Sequence, residues 1–598
     1  MLYRAFHTTA ESRLEHQPYI SVSGKVITWD GRLDNRDELV SQLGDVVKED
    51  CTDVAIVASA FERWGTGSFA KLTGDWALAI WDPHDQELTL ARDYIGVKLL
   101  FYQLRGSRVS WCNHLVPLVL SGESLTLCEE YIAAFLASRL QGHLTPYREI
   151  HSVPPGKFVR IRNGNPSVHA YWKFDPRLEI RYKTDAEYEE HFRHLFRQAV
   201  RRRLRSPWPI LAELSGGYDS SSIVCMSDDI LAKEGAETPS LDTFSYSYLD
   251  EPDADDCLYF TKVEEKRSRI GHHVEIRGSG NTFSIESPMF RAFPHYGGRR
   301  EVEVARSNVV KNGKYRVTLS GNGGDEFMGQ ALYPVVVLAD FLQHLRVREF
   351  TTSLAAWSLL KRRPLIQLLF QTLLLLMPTS VRSKIAPEAK LQPWLNRDFA
   401  KRQNLSALLL EPAAEGSWFW PPRSRNSLQM RAIWSGTLTN FPPTADETRY
   451  PYFDQTLTEF LMSIPGDQLL RPGDRRSLMR RALSGILPTE ILSRRTKQLE
   501  IRCYIVTFEA HWEALKDILN SPLSSALGYI RQTDFHAALM AAKAGQLPIH
   551  SMLLLRALFL ELWLRQAATL NVISFPAEVH KLLSPTSSSE KAPAFSLS

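Results

Sequence analysis

Residues 210–224 read ILAELSGGYDSSSIV, and this stretch limits the fold more than any other in the chain. A short apolar run suited to a buried strand passes directly into Ser215-Gly216-Gly217-Tyr218-Asp219-Ser220-Ser221, and a helix-compatible run follows. Glycines let the backbone turn sharply and bring its N–H groups to face a ligand. The serines add hydroxyl donors, and the following helix brings the positive end of its dipole to the same point. Such a loop suits a polyanion. Asp219 lies among these donors, where a carboxylate repels phosphate unless a cation stands between them, so it reads as a magnesium ligand. A bare Gly-Gly pair is usually only a turn. Here the strand–loop–helix context argues for a binding loop. The Gly-Lys-Ser/Thr ending of a Walker A loop is missing.

A second loop repeats the theme. The strand-like run at 315–319 ends in Ser320-Gly321-Asn322-Gly323-Gly324-Asp325-Glu326. Open parallel sheets bind ligands beyond the carboxyl ends of their strands, which puts both loops at one rim and lets Asp325 meet Asp219 across one magnesium site. The alternative is an acidic surface turn. Strand patterns at 241–246 and 273–276 alternate with helical patterns at 259–270 and 302–312, the mark of a parallel sheet covered on both faces. A long helical pattern at 185–204 precedes them, and residues 331–570 read as mainly helical.

The first 112 residues are different. Residues 19–29 alternate apolar and polar, 53–64 have helical spacing, and 75–82, 87–92, 101–103 and 108–112 are strand-like, which predicts two layers of strands with helices outside. Residues 113–175 read as a connecting region with a helix at 129–138 and a turn at 153–156. The 598 residues therefore divide into an N-terminal domain at 1–175, a larger one at 180–575, and a Ser/Pro/Ala-rich tail at 584–598 expected to be disordered.

Charge and cysteine content exclude several classes. Lys+Arg 71 against Asp+Glu 67 leaves +4, with no global pull toward nucleic acid or an anionic membrane, although local basic patches are possible. The six cysteines form no CxxC pair, so neither a zinc site nor a disulfide framework is indicated and a reduced cytoplasm is the simplest home. The first residues lack a signal-peptide core, so export is not expected. The most apolar segment, LIQLLFQTLLLLM at 365–377, is shorter than the roughly 20 residues a bilayer needs, and two glutamines interrupt it. It reads as a buried core helix. Arg471, Arg475, Arg476, Arg480 and Arg481 cluster on a predicted helix, read as a solvated face with some ion pairs, or else as a surface for polyanionic nucleotide or acidic peptide.

The SGGYDSS loop resembles the pyrophosphate-binding loop of the N-type ATP pyrophosphatases. With the second loop, the whole chain resembles an asparagine synthetase B-type protein. WDGRLDNRDEL at 29–39, GDWALAIWD at 74–82 and ARDYIGVKLLFY at 91–102 are similar to the class II glutaminase domain of that family. ETRYPYFD at 447–454 and RRTK at 494–497 are similar to motifs of its synthetase domain. The resemblance implies an α/β and α+β chain, with an N-terminal Ntn-type αββα sandwich and a C-terminal parallel-sheet ATP pyrophosphatase domain carrying a large helical extension.

The sequence departs from this family in ways that bear on chemistry. A working glutaminase of the family has cysteine after the initiator Met; position 2 here is Leu2, and no cysteine precedes Cys51. The arginine-bearing segment that holds the glutamine carboxylate is absent. Asp30 stands where the family has the oxyanion-hole Asn, and a carboxylate there repels a developing oxyanion. Asp53 matches the aspartate that binds the glutamine amine. In the synthetase half, Asn322 replaces a glutamate linked to ammonia handling. The β-lactam synthetases and lasso-peptide cyclases, branches that also lack the cysteine, adenylate a carboxylate and use an amine already in the substrate.

These comparisons predict an ATP-dependent ligase that couples a carboxylate to an amine without glutamine, as in lasso-peptide isopeptide cyclization. The alternatives are an asparagine synthase-type amidotransferase using ammonia or glutamine, and a non-catalytic scaffold. ATP and Mg2+ are the implied cofactors. Ser215, Gly216, Gly217, Ser220, Ser221 and Ser320 would hold pyrophosphate or nucleotide, and Asp219 and Asp325 the metal. The resemblance assigns Leu214, Tyr246 and Gly321 to the AMP pocket and Lys497 to the charged intermediate. It assigns Glu447 to the base that deprotonates the amine, against an alternative ion pair with Arg449. Expected partners are a small-molecule or peptide substrate, with a precursor peptide and leader protease in the cyclization case, and neither nucleic acid nor membrane.

Overall fold

The structure is a computed structural model and describes residues 1–44, 51–122, 124–140, 142–175, 178–248, 256–276, 290–294, 300–329, 333–377, 385, 391–405, 446–495, 508–546, 551–576 and 579. The expected tail at 584–598 lies outside them, as does Lys497.

Strands β1 (Tyr19–Ile20), β2 (Val26–Leu33), β3 (Gly74–Asp82) and β4 (Glu87–Arg92) join β8 (Lys157–Arg162) and β9 (Asn165–Ala170) in a six-stranded antiparallel sheet of order β1-β2-β3-β4-β8-β9. A second sheet of order β6-β5-β7 holds β5 (Phe101–Arg105), β6 (Arg108–Cys112) and β7 (Ile150–Ser152). Alternation along β3 gives each face its own core. Trp76, Leu78 and Ile80 pack under helices α1 (Arg36–Leu43) and α2 (Asp53–Trp64), while Ala77 and Ala79 pack with Leu90 and Val159 toward Tyr102 of the second sheet. Helices α3 (Leu115–Val119) and α4 (Glu129–Leu136) cover the outer side of that second sheet through Phe101 and Ile150. The order is helix, sheet, sheet, helix, as the family resemblance implied.

The outer helix layer is not self-contained. Leu115, Ile132 and Phe135 share one apolar cluster with Leu515, Phe535, Leu558 and Trp563 of the C-terminal helices. Leu125 N–H donates to Val572 O at 2.9 Å, and Ser574 N–H donates to Leu125 O at 2.8 Å.

Helix α5 (Asp185–Arg203) opens with a capping box between Thr184 and Glu187. It leads into a five-stranded parallel sheet of order β12-β11-β10-β13-β14. The strands are β10 (Ile210–Glu213), β11 (Leu241–Tyr248), β12 (His272–Ile276), β13 (Val317–Leu319) and β14 (Glu447–Arg449). Helices α6 (Tyr218–Lys233), α7 (Cys257–Arg267) and α8 (Arg300–Asn312) cross between strands, as the alternating pattern predicted. The edge strand β14 was not foreseen: three residues are too few for a periodic signal, and the pairing Val317 to Glu447 is wholly tertiary.

Beyond the one-turn helix α9 (Gly324–Phe327) come α10 (Pro334–Gln343), α11 (Val347–Lys361) and α12 (Leu365–Leu376). The expectation of a buried core helix at 365–377 is corrected here. The helix forms, but it lies at the surface: Leu368 and Thr372 turn inward, while Leu365, Ile366, Phe370, Leu373 and Met377 are exposed. No helix among the described residues is long and apolar enough to cross a membrane.

Candidate active site

The first glycine loop leaves β10 and enters α6 at the carboxyl rim of the parallel sheet. Leu214 is buried, its N–H donating to Phe244 O at 2.8 Å and its carbonyl accepting from Ser245 Oγ at 2.7 Å. Ser215 N–H donates to Ser220 Oγ at 3.2 Å, tying the loop to the first turn of α6. Gly216 is at φ +70, and a Cβ there would lie 2.6 Å from Tyr259 Cβ, so only glycine fits against α7. Gly217 is the residue before the helix, and Ser221 Oγ is buried with no hydrogen-bond partner among the described residues. Tyr246 lies further along β11, on the same rim, beside Phe244 with ring centroids 5.9 Å apart.

The second loop leaves β13 and folds directly onto the first. Ser320 N–H donates to Arg449 O at 3.0 Å. A Cβ on Gly321 would stand 3.0 Å from Ser220 N and 3.1 Å from Asp219 Cβ. The two loops thus touch through glycine, which brings Asp219 and Asp325 to one point.

At that point stands Arg476. Its guanidinium donates from Nη1 to Asp219 and from Nη2 to Asp325, and it is only 7 % exposed. Burial works against its charge, but the two carboxylates outweigh burial and hold its pKa above the ordinary arginine value. Glu326, behind them, is pushed upward by burial and by the nearby Asp325 and Asp219 charges. The reading of Arg476 as part of a solvated face is therefore corrected. Its neighbours do form ion pairs: Arg471 with Asp185 at 2.8 Å and Arg481 with Glu189 at 2.8 Å.

Sequence reasoning also missed Arg494. It donates from Nη1 to Gly216 O at 3.1 Å and packs its guanidinium 4.0 Å from the Tyr259 ring centroid. The RRTK motif was the available signal, although it drew attention to Lys497. Tyr218 completes the bracket, its hydroxyl donating to Leu492 O at 2.7 Å.

The donor set suits magnesium: two carboxylates from two loops already converge on a positive charge, with hydroxyl and backbone groups around them. No cluster of three His, Cys, Asp or Glu among the described residues forms a metal cage by itself. The remaining ligands would have to be phosphate oxygens and water.

Glu447 is elsewhere. It pairs with Val317 at the first residue of β13, whereas the loop departs after the last. Its carboxylate meets Arg449 Nε at 2.7 Å, Lys98 Nζ at 3.3 Å, Arg32 Nη1 at 3.5 Å and Thr8 Oγ1 at 3.2 Å. Burial alone would raise its pKa; Lys98, Arg449 and Arg32 overcome that and hold it far below the carboxylate range. The ion pair with Arg449 is present, and a proton acceptor so strongly stabilised as an anion is poorly suited to act as a base. The same network reaches inward. Arg32 meets Asp34 at 2.8 Å and Asp75 at 2.9 Å, and Arg203 meets Asp454 at 2.7 Å.

On the N-terminal side, Asp30 is occupied. Lys98 Nζ lies 3.0 Å from Oδ1 and Asn113 Nδ2 donates to Oδ2 at 2.9 Å, so that, against burial, Asp30 is held ionised. Asp53 accepts from Leu33 N–H at 2.9 Å and is engaged by Arg36.

Comparison with known proteins agrees with this architecture. The asparagine synthase family pattern matches residues 191–565, and the glutamine amidotransferase domain pattern matches residues 8–172. Asparagine synthetase (glutamine-hydrolyzing) 3 of Bacillus subtilis (strain 168) is 24% identical over 499 residues, 78% of this chain and 74% of that protein. Amidase chry2 of Gibberella zeae is 24% identical over 333 residues, 52% of this chain and 48% of the amidase. Amidase chyE of Penicillium rubens is 24% identical over 319 residues, 51% of this chain and 46% of the amidase. The chain thus spans about half the length of the two amidases. Among solved structures, a glutamine phosphoribosylpyrophosphate amidotransferase from B. subtilis aligns at TM-score 0.20 and 14% identity, over 37% of this chain and 45% of that one, too distant to position any residue. With its synthetase pattern extending across more than half its length, this chain belongs to the asparagine synthase family.

Proposed function

We propose that the protein is an ATP-dependent carbon–nitrogen ligase that adenylates a substrate carboxylate and couples it to an amine without hydrolysing glutamine. The observation that carries the reading is the meeting of Asp219 and Asp325, from separate glycine loops, at one cationic point on the strand rim. A substrate carboxylate oxygen attacks the α-phosphorus of ATP, and the bond to the β-phosphate oxygen breaks, releasing pyrophosphate. The amine nitrogen then attacks the acyl carbon, the bond from that carbon to the phosphate oxygen breaks to release AMP, and the amine's proton passes to water.

The chain's own groups divide this work. Ser215, Gly216, Gly217, Ser220 and Ser221 hold pyrophosphate, through the serine hydroxyls and the N–H groups that the turn into α6 leaves uncommitted. Leu214, Tyr246 and Gly321 bound the adenylate. Asp219 and Asp325 would hold magnesium, which supplies neutralisation of phosphate charge when bound. Arg476, which bridges the two carboxylates, would turn to the phosphate oxygens once magnesium takes its place between them. Lys497 keeps the role the resemblance gave it. Glu447 is left out of the chemistry because Arg449, Lys98, Arg32 and Thr8 occupy both its carboxylate oxygens.

Asp30, paired with Lys98, supports an amine that comes with the substrate, as in a peptide closing an isopeptide ring. A second reading, ammonia as the amine and asparagine as product, draws on the likeness to the Bacillus synthetase over 78% of this chain. The test supplies ATP and magnesium with peptide carboxylates in one series and with aspartate and ammonium in another. Substrate-dependent AMP and pyrophosphate are expected from a peptide. Asparagine formation would select the second reading, and stoichiometric ADP would overturn both.

A further inference from the structure

A helix that is apolar on every side belongs inside a protein or against lipid. Helix α12 is such a helix, with only Gln367, Gln371 and Thr372 polar, yet it lies on the outside of the α10–α12 unit. Leu368 and Thr372 face inward, and the opposite stripe of Ile366, Phe370, Leu373 and Met377, spaced at helical intervals, faces out. Ile366 is 76% exposed and Phe370 51%. The end of α11 adds Leu359, 80% exposed, and Leu360. Scattered exposed leucines are unremarkable in a soluble protein; a contiguous row on adjoining helices marks an interaction surface.

The chemistry of the occupant follows from what joins the two helices. Lys361 ends α11 and Arg362, Arg363 and Pro364 form the turn, all exposed, and the three cations make no ion pair among the described residues. Glu349, the acidic residue of α11, is already held by Arg346 at 3.1 Å. A second copy of this face would therefore bring apolar surface but no free carboxylate for the trio. An anionic bilayer offers both: acyl chains for Leu359, Leu360, Ile366 and Phe370, and phosphate headgroups for Lys361, Arg362 and Arg363. Basic residues beside an apolar helical stripe suit a helix lying in the plane of the interface, inserted about 5–10 Å.

We infer that the α11–α12 hairpin docks the protein peripherally onto an anionic lipid surface. This is independent of the ligase chemistry. The test is co-sedimentation of the full chain with vesicles of phosphatidylcholine alone and of phosphatidylcholine mixed with phosphatidylglycerol. The chain should pellet with the mixed vesicles and be released by salt. The triple change Lys361→Gln/Arg362→Gln/Arg363→Gln should weaken partitioning roughly a hundredfold. Ile366→Glu/Phe370→Glu should abolish it. All five positions are exposed, so wild-type melting is expected; if the glutamate pair alters the melt, the glutamine triple decides alone. The proposal falls if wild-type chain stays in the supernatant with mixed vesicles, or if neither variant changes pelleting. It also falls if equilibrium sedimentation shows a vesicle-indifferent dimer that Ile366→Glu/Phe370→Glu dissociates, which would make the face a contact between copies.

Discussion

A Cβ built on Gly324 would stand 2.1 Å from Oδ1 of Asp219. The carboxylate of one loop rests against the bare backbone of the other, so neither has room to shift alone. Gly324→Ala must displace Asp219 from Arg476. We expect ATP-dependent pyrophosphate release to fall about a hundredfold, the usual consequence of a misplacement near 1 Å, with little change in thermal melting. Near-normal release would show that the close approach of the loops is not needed.

Asp219→Asn and Asp325→Asn each remove a charge while keeping shape. Each should reduce pyrophosphate release to background, and the double variant should be no worse than either single one. Asp325, with its side chain 61% exposed, carries little packing energy, so its variant should melt as wild type. Additive partial losses would mean that the two carboxylates do not serve one cation.

Glu447→Gln addresses stability. Removing a partner from a buried ion network costs about 3–5 kcal/mol. Because the folded pKa of Glu447 is depressed, its contribution is complete above the unfolded value near ~4.3 and is lost as pH falls below it toward the folded value. Wild type should therefore lose urea resistance on acidification through that window. Glu447→Gln should start lower and fall less steeply. Parallel curves would remove Glu447 from the acid response.

Glutamine should not be hydrolysed. Purified protein with glutamine, ATP and magnesium is expected to release no glutamate above a boiled control, because Lys98 and Asn113 both donate to Asp30 where an oxyanion would need donors. Asp30→Asn should not create the activity. Glutamate formed at enzymatic turnover by the wild-type chain would refute this view of the N-terminal sheets.

The glycine loops were legible because their chemistry is local: a strand, a sharp turn, hydroxyls and a helix occur within fifteen consecutive residues at 210–224. Their meeting was predictable from the parallel-strand rule. Arg476 was not, since nothing in RRSLMRRA tells a buried arginine from a solvated one; its burial depends on residues more than a hundred positions away. Glu447 shows another limit. Its motif was recognisable, but whether a residue stands at the loop end or the far end of a strand depends on register, here set by Val317. Helix α12 was misjudged because apolarity indicates that a surface needs a partner, not that the partner is in the same chain.

The layer shared by α3, α4 and the C-terminal helices has a consequence for synthesis. Leu125 hydrogen-bonds to Val572 and Ser574. At about 5–20 residues per second on the ribosome, the early segment waits roughly 20–90 seconds before its partner segment is even polymerised. For that interval Ile132, Phe135 and their neighbours lack the part of their cluster that Leu515, Phe535, Leu558 and Trp563 supply, leaving apolar surface for a chaperone or transient contacts to shield. Slower translation across the central region lengthens that exposure, and faster translation shortens it.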